Sequence, residues 1–331
     1  MLKFLTLKTA FLAGGGVLLL ATAGFAYALF RPLTHPPRPA PVRCLDEADG
    51  DFAPWSGRPA NIYGVGLAYA NHINETASDF DPAGPPPIFQ KLPRTLIRTG
   101  AAVRVPTAAE LIADIDAFEP GLGNQLRERY GDLPHLLDYE TELAFVVLED
   151  ITPQALENPA FAPRIGFLMA NDVTARSLAV LGEGRPNRSE YWGVAKSFAG
   201  FLPVADRIWI PREPGLATIP CIRIETIVNG ELRQNESTAN LIYTPAQMLR
   251  FIHQKYPNQP LRKGDLILTG TPGGVALATP RWLGRLGNLF GLNRFQKLSA
   301  ILRKDRSAFL KPGDRVTVRG EWLGDITNTI Q

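Results

Sequence analysis

The chain has 331 residues, a net charge of +3 and two cysteines. Its apolar content of 45% and charged content of 20% are typical of a folded globular protein and exclude a largely disordered chain. The small net charge gives no indication of nucleic-acid binding, and Cys44 and Cys221 are too few and too far apart for a cysteine-based zinc cluster. They could form one disulfide, but Cys44 falls in a predicted linker and we do not predict the bond.

The N-terminal region has the pattern of a membrane anchor. A charged segment, residues 1–8, precedes an uncharged apolar run at residues 9–30. That run corresponds to about 33 Å of helix, enough to cross the hydrocarbon core of a bilayer. It is longer than the apolar region of a typical signal peptide, although its small residues leave cleavage open. We therefore predict a single-pass membrane location, with an orientation that the flanking charges do not determine.

A proline-rich segment follows and predicts a semi-rigid linker over residues 31–59. The folded domain is then expected over residues 60–331. Predicted strands outnumber helices there and show no βαβ rhythm, so the fold class is α+β and mainly β. Asn229-Gly230 predicts a β-hairpin turn, and Thr244-Pro245 opens a helix with a capping box.

Three carboxylates lie within or next to apolar runs of the sequence. In LDYETELAFVVLED, Glu140 and Glu142 alternate on one face of a predicted strand, and Asp172 ends the run IGFLMAND. Solvated carboxylates on an edge strand are one explanation. Buried carboxylates instead need a compensating cation, and three of them without nearby His or Cys describe a site for a hard divalent ion. We predict Mg²⁺, with Mn²⁺ and Ca²⁺ as alternatives, and whether Asp138 is a fourth ligand stays open.

Two further patterns suggest catalysis. His72 and Glu75 lie three residues apart on a predicted helix that starts near Leu67, so they share one face. A carboxylate orients an imidazole and raises its basicity, as a general base requires, although an isolated pair of this kind can equally be a surface salt bridge. Lys196 lies in the apolar stretch WGVAKSFAGFLP, where it either extends its ammonium to solvent or places it near an anionic substrate.

These segments resemble, in order, the motifs of the fumarylacetoacetate hydrolase family. The similar stretches are YGVGLAYANHINE, PPPIFQKLP, DYETEL, NDVTARSL, AKSFAGFLP, NGELRQNESTANLIYTP, GDLILTGTPGGV and LKPGDRVTVRGEWLGDITNTI. The resemblance covers residues 60–331 and implies a mixed β-sandwich roll, which is usually a homodimer. Asn71, Ser177, Ala195 and Ala199 depart from the family pattern, and these departures put substrate choice in doubt.

The resemblance also implies roles for individual residues. His72, Glu75 and Lys196 correspond to catalytic residues, and Glu140, Glu142 and Asp172 to metal ligands. Substrate-binding roles fall to Lys91 at the mouth of the site, to Arg176 and to Thr271. The expected reaction is metal-dependent cleavage of a carbon–carbon bond in a small 2,4-dioxo acid. Decarboxylation, hydration or isomerisation of a 2-oxo acid, and an inactive membrane-tethered binding or scaffold protein, stay open as alternatives.

Two segments are longer than the family resemblance leads us to expect, residues 107–136 and 278–308. Within the second, residues 281–306 carry seven basic residues and one acid, with apolar residues at helical spacing. Such a basic amphipathic stretch can lie on anionic lipid, or it can form a lid or a dimer contact with a solvated basic face. We expect no nucleic-acid partner, because no recognition fold accompanies the charge.

Overall fold

The computed structural model describes residues 24–33, 35–76, 80–215 and 217–331. Its strands are β1 (Arg43–Leu45), β2 (Gly50–Pro54), β3 (Ile62–Val65), β4 (Ile88–Lys91), β5 (Leu96–Arg98), β6 (Ala102–Val103), β7 (Leu137–Asp138), β8 (Thr141–Val147), β9 (Ile165–Asn171), β10 (Thr174–Ala175), β11 (Leu202–Val204), β12 (Arg207–Pro211), β13 (Thr218–Pro220), β14 (Arg223–Val228), β15 (Glu231–Ser237), β16 (Leu266–Leu268), β17 (Arg315–Gly320) and β18 (Gly324–Ile330). Its helices are α1 (residues 24–30), α2 (Ala70–Glu75), α3 (Ala108–Phe118), α4 (Leu122–Tyr130), α5 (Pro153–Glu157), α6 (Arg176–Ala179), α7 (Arg188–Ala195), α8 (Pro245–Lys255), α9 (Arg281–Leu289) and α10 (Arg294–Leu302).

The larger sheet places β8 at its centre. The strand order is β2–β12–β9–β8–β16–β3–β4, and β11 pairs with both β9 and β5. β8 pairs antiparallel with β9 on one side and with β16 on the other. Every residue of β8 is buried, which explains why the strand reads as an almost continuous apolar run instead of an alternating one.

The second sheet has the order β15–β14–β17–β18–β6. β14 alternates between buried and more exposed residues, as its period-two sequence predicts. Asn229 and Gly230 connect β14 to β15 and have φ angles of 52° and 88°, so the predicted hairpin turn is confirmed. The capping box that opens α8, formed by Thr244 and Gln247, is also confirmed.

The two sheets pack face to face over the main apolar core, which includes Met169 of β9 and Val318 of β17. A glycine lets them approach closely, since a Cβ at Gly320 would lie 2.4 Å from Met169 Sδ. A second core packs α3, α4, α7 and α10 together around Leu111, Tyr191 and Leu298. The predicted α+β, mainly β fold therefore describes the molecule, with α2, α5 and α8 packed on the main core and α3, α4, α7 and α10 on the second.

Part of the segment predicted as a linker is folded into the domain. β1 pairs in parallel with β13, and β2 pairs antiparallel with β12. Cys44 on β1 and Cys221, just after β13, form a disulfide. The bond was not predicted because prolines dominate this segment of the sequence, and the pairing of β1 depends on a partner strand more than 170 residues away.

We predict that the disulfide contributes strongly to stability. It closes a loop of 177 residues, for which loop-closure entropy gives about 5 kcal/mol. The double variant Cys44→Ser/Cys221→Ser should therefore unfold at clearly lower guanidinium concentration than the oxidised protein. Dithiothreitol should lower the midpoint of the wild type to that of the variant and leave the variant unchanged. Equal midpoints for oxidised wild type and variant would contradict the prediction.

The predicted membrane location is contradicted. In the described ranges, no helix is long and apolar enough to cross a bilayer. Residues 9–23 of the predicted span lie outside the described residues, and the rest of it is α1.

Candidate active site

The helix that carries the candidate base begins later than predicted. β3 ends at Val65, and α2 starts at Ala70 instead of near Leu67. Leu67 adopts the left-handed region with φ 57°, although it is a buried leucine. Such a conformation costs about 1–3 kcal/mol and tends to occur at functional sites. Here it lies in the short connection between the end of β3 and the start of α2.

His72 and Glu75 form the expected pair. His72 Nδ1 lies 2.9 Å from Glu75 Oε1, and Glu75 Oε2 accepts a hydrogen bond from the Gly274 amide at 2.8 Å. The His72 side chain is only 9% exposed, so the pair is not the surface salt bridge that its spacing alone would allow. Because Glu75 occupies Nδ1, Nε2 is the ring nitrogen left to receive or deliver a proton.

The three candidate metal ligands converge from separate elements. Glu140 immediately precedes β8, Glu142 lies in β8, and Asp172 follows β9. One oxygen from each carboxylate lies within 4.8 Å of the others, and all three residues are buried. Antiparallel pairing of β8 with β9 produces this convergence, because it places Thr141 opposite Asn171 at the ends of the strands.

Three basic side chains, Lys91, Lys196 and Arg176, form ion pairs with these acids. Lys196 Nζ donates to Glu140 Oε2 and to Asp172 Oδ2, each at 2.6 Å. Arg176 makes ion pairs with Glu140 at 2.6 Å and with Asp138 at 2.7 Å. Burial alone would raise the pKa of the Glu140 carboxyl, but the charges of Lys196 and Arg176 outweigh it and lower that pKa to about 2.

Glu142 differs from its neighbours. Its Oε2 accepts a hydrogen bond from the Gly270 amide at 2.7 Å, but within the described ranges no basic side chain lies within ion-pair distance of it. Burial, followed by the charges of Asp172 and Glu140, raises the pKa of the Glu142 carboxyl well above its usual range. Gly270 has a φ of 94°, a conformation that suits glycine and directs this amide toward the carboxylate.

The residues present fit a divalent cation. The donors are all carboxylate oxygens, which hard cations such as Mg²⁺, Mn²⁺ and Ca²⁺ prefer. The four buried acids, with Asp138 included, exceed the three cations Lys91, Lys196 and Arg176 by one negative charge. A dication would reverse that excess to one positive charge, which suits an anionic substrate, and would supply the positive charge that Glu142 lacks.

The structure changes the expected position of Lys91 and places Asp138, whose role as a ligand was left open. Lys91 does not lie at the mouth of the site, because its buried ammonium pairs with Asp172 and donates to the Phe201 carbonyl at 2.8 Å. Lys91 therefore supports the Asp172 carboxylate. Asp138 lies outside the group of three acids, and it accepts amide hydrogen bonds from Ala276 at 2.8 Å and Leu277 at 3.1 Å. Asp138 thus fixes the loop that follows β16.

Sequence reasoning missed Gln234. This buried side chain donates to Thr271 Oγ1 and to the Pro272 carbonyl, both at 2.9 Å, and accepts from the Thr141 amide at 3.0 Å. It therefore joins β15 to the start of β8 and positions Thr271. The available signal was a glutamine inside NGELRQNEST on a strand that otherwise faces solvent.

A cavity of about 690 Å³ lies beside the candidate site. Its lining includes His72, Glu140, Glu142, Arg176, Lys196 and Thr271. The rest of its lining is mostly apolar and includes side chains from α9 and α10, the segment predicted as basic and amphipathic. A volume of this size is typical of small-molecule sites, so a small organic substrate fits it.

Comparisons with known proteins agree with this arrangement. The family described as Fumarylacetoacetate (FAA) hydrolase C-terminal matches residues 61–331. An oxaloacetate tautomerase from Bacillus subtilis (strain 168) is 24% identical over 307 residues, which cover 92% of this chain and 75% of that protein. A fumarylacetoacetate hydrolase structure from the psychrophilic Exiguobacterium antarcticum is 27% identical with a TM-score of 0.52, covering 85% of this chain and 77% of that one.

A fumarylpyruvate hydrolase structure from Pseudomonas aeruginosa, in complex with Mn²⁺ and pyruvate, has a TM-score of 0.52. It covers 91% of this chain and 98% of that one, and at 20% identity it supports the fold alone. The match to the family spans every candidate site residue and all strands of the two large sheets except β2. This chain belongs to the fumarylacetoacetate hydrolase family.

Proposed function

We propose that the protein is a divalent-metal-dependent hydrolase that cleaves a carbon–carbon bond in a 2,4-dioxo acid. The observation that carries this proposal is that one cavity is lined by His72, which pairs with Glu75, and by Glu140 and Glu142, two of the three clustered carboxylates. The pair supplies a base and the carboxylates supply a cation site, which together are the requirements for hydrolytic cleavage next to a carbonyl.

Glu140, Glu142 and Asp172 would hold the metal, for which Mg²⁺ is our first candidate and Mn²⁺ or Ca²⁺ the alternatives. When bound, the ion supplies Lewis acidity that polarises the 2-oxo group and its adjacent carboxylate. Lys91 keeps Asp172 in position, and the Gly270 amide does the same for Glu142. The net positive charge of the loaded site would attract the anionic acid.

His72 would act as the general base. With Nδ1 held by Glu75, its Nε2 takes a proton from water, and the hydroxide equivalent attacks the 4-oxo carbon. The bond between C3 and C4 then breaks, and its electron pair stays with C3 in conjugation with the 2-oxo group. The proton on His72 is delivered to C3. One water is consumed, and one carboxylic acid and one pyruvate are formed.

Lys196, Arg176 and Thr271 would assist from the cavity lining. Lys196 places a positive charge between Glu140 and Asp172, close to where negative charge develops on the 2-oxo group. Arg176 offers a guanidinium for the substrate carboxylate. Gln234 fixes the Thr271 hydroxyl, which leaves that hydroxyl oriented toward a substrate oxygen.

A second candidate is oxaloacetate keto–enol tautomerisation. It is favoured by the relative from Bacillus subtilis, whose similarity extends over 92% of this chain. The same base and cation site can move a proton between C3 and the 2-oxo oxygen, which breaks a C–H bond at C3 but no carbon–carbon bond.

We expect the purified protein with Mg²⁺ to convert acetylpyruvate to equimolar acetate and pyruvate, measured by loss of the dioxo absorbance and by product assay. Oxaloacetate serves as the second substrate, followed by its enol absorbance, with pyruvate and carbon dioxide assayed alongside. Chelation with EDTA should stop turnover, and Mg²⁺ should restore it. Tautomerisation of oxaloacetate without cleavage of acetylpyruvate would overturn the hydrolase proposal, and no turnover of either would favour an inactive binding protein.

A further inference from the structure

The apolar part of the cavity is built largely by residues of the segment 278–308. α9 contributes Leu283 and Leu286, the turn after it contributes Leu292, and α10 contributes Ile301. These four side chains are only half-buried, so each keeps surface that a ligand can cover. We call α9, α10 and the turn between them the chamber wall.

The apolar surface begins directly beside the candidate catalytic residues. Lys196 Nζ lies 5.2 Å from the centre of the Phe89 ring, and Phe89 contacts Trp192 edge to face at 6.2 Å. Both aromatic residues line the cavity together with the chamber wall. A substrate whose acidic end reaches the carboxylates therefore projects its other end along apolar side chains.

The chamber wall is fixed to the rest of the domain. Arg294 of α10 forms two hydrogen bonds to the Glu119 carboxylate, at 2.7 and 2.9 Å. The Arg294 hydrogen bond is the main reason that the pKa of Glu119 falls to about 2. Tyr130 Oη donates to the Phe295 carbonyl at 2.7 Å, and Leu298 is fully buried in the second core. The wall is therefore formed before any ligand enters.

Two lysines, Lys297 in the chamber wall and Lys304 just after it, allow a competing explanation, in which the far end of the substrate is a second carboxylate. Lys297 and Lys304 both line the cavity. Lys297 Nζ donates to Asn288 Oδ1 at 2.9 Å, and Lys304 Nζ donates to Thr279 Oγ1 at 3.3 Å. Each ammonium thus has a protein acceptor and exposure to solvent, and the apolar side chains of the wall gain nothing from a dicarboxylate.

We propose that the chamber wall selects 2,4-dioxo acids whose acyl substituent is an apolar chain. The inference rests on the proposed function for the acidic end of the substrate and adds the chemical class of the other end. The chain would cover Leu283, Leu286, Leu292 and Ile301 and release the water that contacts them. Each methylene buried in this way should strengthen binding roughly fourfold.

The test measures binding separately from turnover. Saturated 2-oxo acids lack the 4-oxo group and cannot be cleaved. Calorimetry with pyruvate, 2-oxooctanoate and 2-oxododecanoate in the presence of Mg²⁺ therefore measures how binding affinity depends on chain length, without turnover. We expect affinity to rise with chain length until the chamber is filled. A flat series, or tighter binding of the 2-oxo diacid of the same length as the longest member, would overturn the proposal. Rising affinity without cleavage of any acylpyruvate would instead refute the hydrolase proposal and leave the chamber assignment standing.

A matched pair of variants localises the effect. Leu286→Asn should reduce the advantage of 2-oxododecanoate over pyruvate by roughly fourfold or more, because it replaces an apolar side chain of the wall by a polar one. Leu289→Asn changes the same helix at a position that is 54% exposed and outside the cavity lining, so the advantage should persist. Equal losses in both variants would overturn the assignment. If thermal melting shows that Leu286→Asn is unfolded, Leu283→Asn takes its place.

Discussion

Glu142→Gln is expected to lower kcat/KM for the 2,4-dioxo acid by about 10²–10³, because loss of a ligand removes several kcal/mol of metal-derived stabilisation. In the metal-free protein the same change should raise the melting temperature. Burial raises the pKa of the Glu142 carboxyl well above its usual range, so folding without metal has to protonate this acid or bury its charge, a cost that glutamine does not carry. Activity and metal-free stability should therefore change in opposite directions.

Differential scanning calorimetry without and with Mn²⁺ measures the stability of the metal-free protein and the stabilisation that the metal adds. Mn²⁺ should raise the melting temperature of the wild type through binding to the native state and should raise that of Glu142→Gln much less. Glu157→Gln, an exposed change at the end of α5, serves as the control and should behave as wild type. A metal-induced shift of wild-type size in Glu142→Gln would show that the cation does not bind at these carboxylates.

His72→Ala is expected to lower kcat by about 10²–10⁴, the range for loss of a general base. Metal binding should stay intact, since the imidazole is outside the group of three carboxylates. Glu75→Gln should give a smaller loss. It keeps a side chain of the same shape beside Nδ1 but removes the charge that stabilises the imidazolium formed during proton transfer.

Two measurements, turnover of the acylpyruvate and calorimetric binding of Mn²⁺, distinguish a role of His72 as base from a role in supporting the cation site. His253→Ala on α8, outside the cavity lining, is the matched control and should retain full activity. Full activity of His72→Ala would refute its role as base. Loss of both activity and Mn²⁺ binding in that variant would show instead that the imidazole supports the cation site.

The sequence was most informative where local chemistry determines local structure. Asn229-Gly230 forms the predicted hairpin turn, and the Thr244–Gln247 capping box opens α8, because both patterns satisfy backbone geometry within a few residues. The convergence of Glu140, Glu142 and Asp172 was also predictable, since carboxylates at the ends of apolar runs need a common solution to burial. The roles of the site residues and the homodimer implied by the resemblance stay predictions.

Features that depend on contacts between residues far apart in the sequence could not be predicted from the sequence. The PPPIFQKLP motif locates Lys91 in the sequence, but only the fold shows that its ammonium lies beneath Asp172 instead of at the mouth of the site. Cys44 looked like part of a linker because its partner strand β13 is far away in sequence. The length of the apolar run over residues 9–30 suggested a membrane span, whereas no helix within the described ranges is long and apolar enough to cross a bilayer.

The contact between α1 and α9 has a practical consequence. Arg285 donates to the main-chain carbonyls of Leu29 and Arg31 at 3.2 and 2.5 Å, and Trp282 stacks beside Phe30 at 6.1 Å. A shortened protein cut to the family match, residues 61–331, would lose these acceptors and also leave Cys221 as an unpaired thiol. Measurements of substrate preference on such a fragment would then report a loosened chamber, so specificity has to be assayed on a chain that retains the preceding segment.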